Sequence, residues 1–142
     1  MNDKWKNSLN SFFGDKKQEP VNREVSEMAS FIENVAIPAF AEISGELQKH
    51  DRQTNVRNSE TSAAIMVYKG REEEFTYRLQ GRTFPSGVMP YAEMRFRQRG
   101  GLRFITVEEM LRSSTDCSIR DITRDEVVQH FVRNYTTRVE HA

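Results

Sequence analysis

Arginine supplies most of the chemistry this sequence could perform. Arg78, Arg95, Arg97 and Arg103 fall on alternate positions of segments that read as β-strands, so they would share one face of a sheet. Guanidinium forks pair in plane with phosphate or carboxylate groups, and Tyr91 has the same parity as Arg95 and Arg97. Such a face would suit an anionic partner, nucleic acid included, because phosphate contacts need clustered guanidiniums rather than a basic whole chain. Aromatic side chains are too sparsely interleaved for a dedicated single-strand stacking platform. The competing expectation is that these arginines pair across strands with Glu74 and Glu93, or with the acidic surface of a second copy.

A second candidate is the stretch 81–90, longer than a turn needs to be. It offers Arg82, Thr83 and Ser86 for polar contacts and Phe84 as an anchor, and loops beyond turn length are frequent binding sites. A small enzyme or ligand-binding protein would place its site there. Elsewhere the catalytic signatures are missing: no glycine falls in a dinucleotide, phosphate-loop or nucleophile-elbow pattern. His50, His130 and His141 are far apart in sequence, and a single cysteine, Cys117, cannot build a usual structural zinc site. His130 projects away from the apolar stripe around it and is expected to be solvated. Glu72, Glu73 and Glu74 read as the solvated start of a strand. No catalytic residue, metal site or cofactor is assigned.

The elements that must position these residues follow from periodicity. A chain of 142 residues is the size of one domain. Trp5, Leu9, Phe12 and Phe13 recur at helical spacing among lysines, so residues 1–18 read as a mobile amphipathic arm and 19–142 as a single α+β domain. Val21, Val25, Met28, Ile32, Val35, Ala39, Ile43 and Leu47 then mark one long helix kinked at Pro38, after which the apolar stripe shifts by about 60° on a wheel of about 100° per residue. Two-residue alternation follows. It predicts four antiparallel strands, with Phe75, Tyr77, Leu79, Met94, Phe96, Leu102 and Phe104 facing the helices and Gly100-Gly101 as a hairpin turn. Capping boxes at Thr106–Glu109 and Thr123–Glu126 predict a short helix and a C-terminal helix on the same sheet face.

Charge is balanced, with 21 basic and 21 acidic side chains, which removes a whole-chain argument for nucleic acid or an anionic membrane. It is not evenly spread. Residues 19–51 are acidic and residues 69–103 basic. No apolar run has the length of a membrane span, and a lone cysteine fits a reducing compartment, so a soluble cytoplasmic chain is expected. The overlong helix carries more apolar surface than its sheet needs, with Ile37, Phe40 and Leu47 as the expected contact to a second copy. The leading expectation is a non-catalytic protein-binding or adaptor module that forms a homodimer. Nucleic-acid binding through the basic face, and ligand binding or catalysis at 81–90, are the alternatives.

Overall fold

The computed structural model describes residues 5–8, 20–97, 103–113 and 117–140. Most of the proposed arm, the Gly100-Gly101 turn and Leu102 lie outside them. Helix α1 (Pro20–Phe31) leads into a π-helical turn (Ile32–Ala36) and helix α2 (Ile37–Gln48). Five strands follow: β1 (Gln53–Asn58), β2 (Ala63–Lys69), β3 (Glu72–Phe84), β4 (Gly87–Arg97) and β5 (Phe104–Met110). A 3-10 turn (Ile119–Asp121) and helix α3 (Arg124–Glu140) complete the chain. The class is α+β with one antiparallel sheet, in which each strand pairs with the next in sequence.

The long helix bends at a π turn rather than at a simple kink. Pro38 has no N–H to donate, and its ring would press on the carbonyl one turn earlier; widening that turn relieves the clash. The Ile37 N–H duly reaches back to the Ile32 carbonyl. The wide turn also absorbs the shift in the apolar stripe, so Met28, Phe31 and Ile32 before it and Ala39, Phe40 and Ile43 after it are all buried in one core. α1 packs on β4, and α2 on β1 and α3. The helix ends in a Schellman arrangement: the Arg52 N–H bonds the Leu47 carbonyl at 3.0 Å, the Asp51 N–H bonds Gln48, and Asp51 takes φ 59.

Four expectations fail in the sheet. There are five strands, because Gln53–Asn58 pairs along its whole length with β2. The short helix at Thr106 does not form: Phe104–Met110 is strand β5, paired with β4 from Phe104↔Arg97 to Met110↔Tyr91. The same register puts Ile105 opposite Phe96 and Val107 opposite Met94, so Phe104 turns to the face away from the helices. A one-residue slip moves every side chain of a strand to the other face. The stretch 81–90 is also no loop. It forms the far ends of β3 and β4, joined by the turn Pro85-Ser86.

The core is an aromatic stack between sheet and helices. Phe40 of α2 meets Tyr77 edge-on at 6.0 Å between ring centroids, and Phe131 of α3 meets Tyr77 at 5.3 Å and Phe75 at 5.6 Å. Phe40 is fully buried there. It therefore cannot serve as an oligomer contact. Ile37 and Leu47 are half-buried against the rim of the same core.

Candidate functional site

α3 starts at the capping box read from the sequence. The Glu126 N–H donates to Thr123 Oγ1 at 3.2 Å, and the Thr123 N–H reaches Glu126 Oε1 at 3.4 Å. The helix then turns Val127, His130, Phe131 and Asn134 onto the sheet, all buried. Val128 and Val132 lie about 100° round the wheel from Val127 and Phe131 and turn away from the sheet, whereas Tyr135 stacks on Phe131 at 5.6 Å and packs edge-on against Phe75 of β3. The apolar stripe read from the sequence is thus wider than the contact with the sheet.

The surplus half of that stripe walls a groove. Ala41, Gly45 and Leu47 of α2 form one side, and Val128, Val132 and Thr136 of α3 the other, around a volume of about 680 Å³. Val132 is 46% exposed, and a Cβ added at Gly45 would meet nothing within 4 Å. The rim on α2 carries Glu42, 3.5 Å from Arg124, and Glu46, 3.0 Å from Lys49. Of the residues expected at an oligomer interface, only Leu47 lines this groove.

His130 overturns its sequence reading: it is 5% exposed rather than solvated. Its Nδ1 lies 2.7 Å from the Tyr77 hydroxyl, and its Nε2 lies 2.9 Å from Glu109 Oε1 but off the hydrogen-bonding line. Burial, opposed by Glu109 and assisted by Arg133, holds the imidazole below its ordinary range. Burial alone would push the Glu109 carboxyl up, but the charge at His130, the Asn134 amide and the Arg133 guanidinium hold it below its usual value. Burial also raises the Tyr77 phenol. With Tyr77 wholly enclosed, this chain of groups ties β3, β5 and α3 together, and only its outer end, Glu109 with Arg133, opens onto a pocket beside Met110 and Arg112. Nothing in the residue types around His130 signals its burial, since two members of the buried face, His130 and Asn134, are polar.

Glu74 likewise departs from its reading as a solvated strand residue. The β2–β3 register slips between Val67 and Tyr68, so Glu74 is the extra residue of a bulge. It turns to the helix side, where Arg52 forks onto it at 2.9 and 3.3 Å and the Tyr135 hydroxyl also bonds it. Burial and that carboxylate push the Tyr135 phenol up to about 12. Glu73 keeps the outer face and sits 3.6 Å from Arg95.

The outer sheet face holds part of the predicted basic patch. Arg78 and Arg95 are exposed there. The Arg95 and Arg97 guanidiniums stack over the Phe104 ring at 4.0 and 5.2 Å, and Arg82 over Tyr91 at 4.2 Å. Arg82, assigned from sequence to a loop, thus belongs with the sheet face, and it also bonds Glu108 at 2.9 Å. Arg103 does not join them; it stands before β5, exposed and in step with Ile105. Thr83 donates to Glu24 on α1 at 3.0 Å, Phe84 packs on the core, and Ser86 lies in the hairpin turn. The close ion pairs across strands are with Glu73 and Glu108, while Glu93 stands directly opposite Arg78 in the register and Glu74 has turned to the helix side.

Among the described residues no cluster of His, Cys, Asp or Glu could hold a metal ion, and no helix is long and apolar enough to cross a membrane. Comparison of the chain with protein-family models, with curated proteins and with solved structures finds no match.

Proposed function

We propose that this chain is a non-catalytic protein-binding module, an adaptor that takes an amphipathic helix into the groove between α2 and α3. One observation carries the reading: Val128 and Val132 continue the apolar stripe of α3 past the sheet and leave Val132 46% exposed beside Leu47 and Gly45. An apolar helix face laid between two helices is a recurrent mode of peptide recognition. On the rim Glu42 and Glu46 already pair with Arg124 and Lys49, so a lysine or arginine on the docked helix would compete with those partners and the apolar contact carries the docking. The test is a titration of the isotopically labelled protein with amphipathic helical peptides. Amide shifts should concentrate at Ala41, Gly45, Leu47, Val128 and Val132 and vanish in Val132→Glu. Shifts spread over the surface, or unchanged in that variant, would remove the reading.

A second reading, nucleic-acid binding through the outer sheet face, gains support from Phe104. Its place beneath Arg95 and Arg97 adds an aromatic ring to a face that already holds Tyr91 under Arg82. Arg95 and Arg82 already meet Glu73 and Glu108 and the Arg97 Nε is buried, so phosphate would take the guanidinium N–H groups that remain. Binding of a single-stranded oligonucleotide at low salt, falling steeply as salt rises and lost in the Arg95→Gln/Arg97→Gln double variant, is the expected outcome.

A further inference from the structure

We infer that the pocket where the chain of Tyr77, His130 and Glu109 meets solvent is a site for a small organic carboxylate. The bound anion draws Arg133 off Glu109, and His130 then takes up a proton from solvent. The pocket has a volume of about 620 Å³ beside the end of β5 and shares no lining residue with the groove between α2 and α3. That size suits a small molecule.

Charge selects an anion. Arg133 and Arg138 both meet the single carboxylate of Glu109, Arg138 at 3.6 Å, which leaves one guanidinium charge unmatched. Arg112 has little to spare, because its Nε is held by Glu126 at 2.8 Å and its Nη2 by the Asp121 carbonyl at 3.0 Å. Arg133 is therefore the group a ligand meets. Its side chain is 66% exposed and among the described residues bonds only Glu109, through Nη2. The rest of its fork can take a carboxylate in plane. Met110 and Leu111, packed against the core, give the pocket an apolar wall, and Ser113 adds a hydroxyl. One unmatched charge beside an apolar wall fits a monocarboxylate with a short hydrocarbon part.

Geometry couples that ligand to His130. Glu109 Oε1 lies 2.9 Å from His130 Nε2, yet it is taken by Arg133 and, at 3.5 Å, by the Asn134 amide. Nε2 is thus buried without a hydrogen bond. Once Arg133 turns to the ligand, Oε1 can swing into line and accept from a doubly protonated ring. The other groups around the imidazole are the Tyr77 hydroxyl of β3, the Met110 carbonyl of β5, and Arg138, which reaches Glu109 from the same helix. Of the two guanidiniums only Arg133 is exposed enough to leave, since Arg138 is 26% exposed. Burial holds the ring below its ordinary range against the pull of Glu109, and Arg133 assists burial, so its departure favours the proton. By linkage, proton and anion each strengthen the binding of the other.

Butyrate is the probe, added to the full chain at low ionic strength and followed by amide shifts and by the His130 ring resonances. Shifts should concentrate at Met110, Leu111, Ser113 and Arg133. Affinity should rise on the order of tenfold as pH falls from about 7.5 to about 6, with protons taken up on binding in unbuffered solution. Arg133→Gln should lose butyrate binding, while its His130 ring titrates at higher pH than in the unaltered chain even without ligand. His130→Asn should bind butyrate with an affinity that no longer follows pH. Absence of shifts, or shifts that survive Arg133→Gln, overturns the site. So does equal competition by chloride or tighter binding of inorganic phosphate, which would mean a general anion surface. Butyrate affinity that is the same at both pH values, or binding without proton uptake, overturns the coupling to His130.

Discussion

His130 is buried between a phenol, a carboxylate and a guanidinium, and a second proton on it has no compensating partner in good alignment. Its pKa in the folded chain lies below the ordinary 6.5, so the unfolded chain binds more protons as pH falls through that value, and stability is lost on the acid side. Glu109, also lowered, adds stability above its ordinary 4.5 that disappears at still lower pH. Tyr77, raised, contributes below 10 and fails above it. His130→Asn keeps an acceptor near the Tyr77 hydroxyl but cannot titrate. It is expected to cost about 1–3 kcal/mol at neutral pH and to flatten the fall in urea midpoint between about pH 7 and 5; an unchanged slope would assign the acid sensitivity to other groups. Asp51, at φ 59, holds a left-handed position that glycine adopts more easily. Asp51→Gly should therefore raise the unfolding free energy by about 0.5 kcal/mol, read from the same denaturant curves.

The two capping boxes show how far local pattern reaches. Both Thr106–Glu109 and Thr123–Glu126 have the right residues, yet only the second begins a helix. After Glu126 the helical stripe runs on through Tyr135, long enough to offset the cost of nucleation, whereas after Met110 it stops within a turn. Ile105, Val107 and Glu109 also alternate with Thr106, Glu108 and Met110, and β4 supplies backbone partners for that alternation. The long helix, the core faces of β3 and β4 and the start of α3 were legible because each repeats a period several times. The bulge at Glu74, the flip of Phe104 and the burial of His130 were not, since each depends on how distant segments register. Thr123→Ala should lower stability by about 1 kcal/mol in thermal unfolding. Glu74→Ala should cost about 2 kcal/mol by leaving Arg52 and Tyr135 without their acceptor, and a cycle with Arg52→Ala should show strong non-additivity.

At the scale of the molecule, the helices cover one face of the sheet and leave two surfaces with different chemistry: an apolar groove on the helix side and an arginine-rich face opposite. Val132→Glu separates binding from folding, because a half-exposed position away from the core should change stability by no more than about 0.5 kcal/mol while abolishing association. Chemical denaturation of the variant alongside the peptide titration checks both halves of that statement. Composition gave no hint of the groove, since the residues lining it also serve the core periodicity of α2 and α3. The sequential order of the sheet has a kinetic consequence. Every strand pairs with its neighbour in the chain, so each ladder closes only a short loop and the sheet can zip by successive hairpins. α2 and α3, by contrast, meet across most of the sequence, and their docking must wait for the sheet's apolar face to exist. Folding should therefore show amide protection arising first along the β3–β4 hairpin and last in the helices, with the tie from Glu109 to α3 among the final contacts to close.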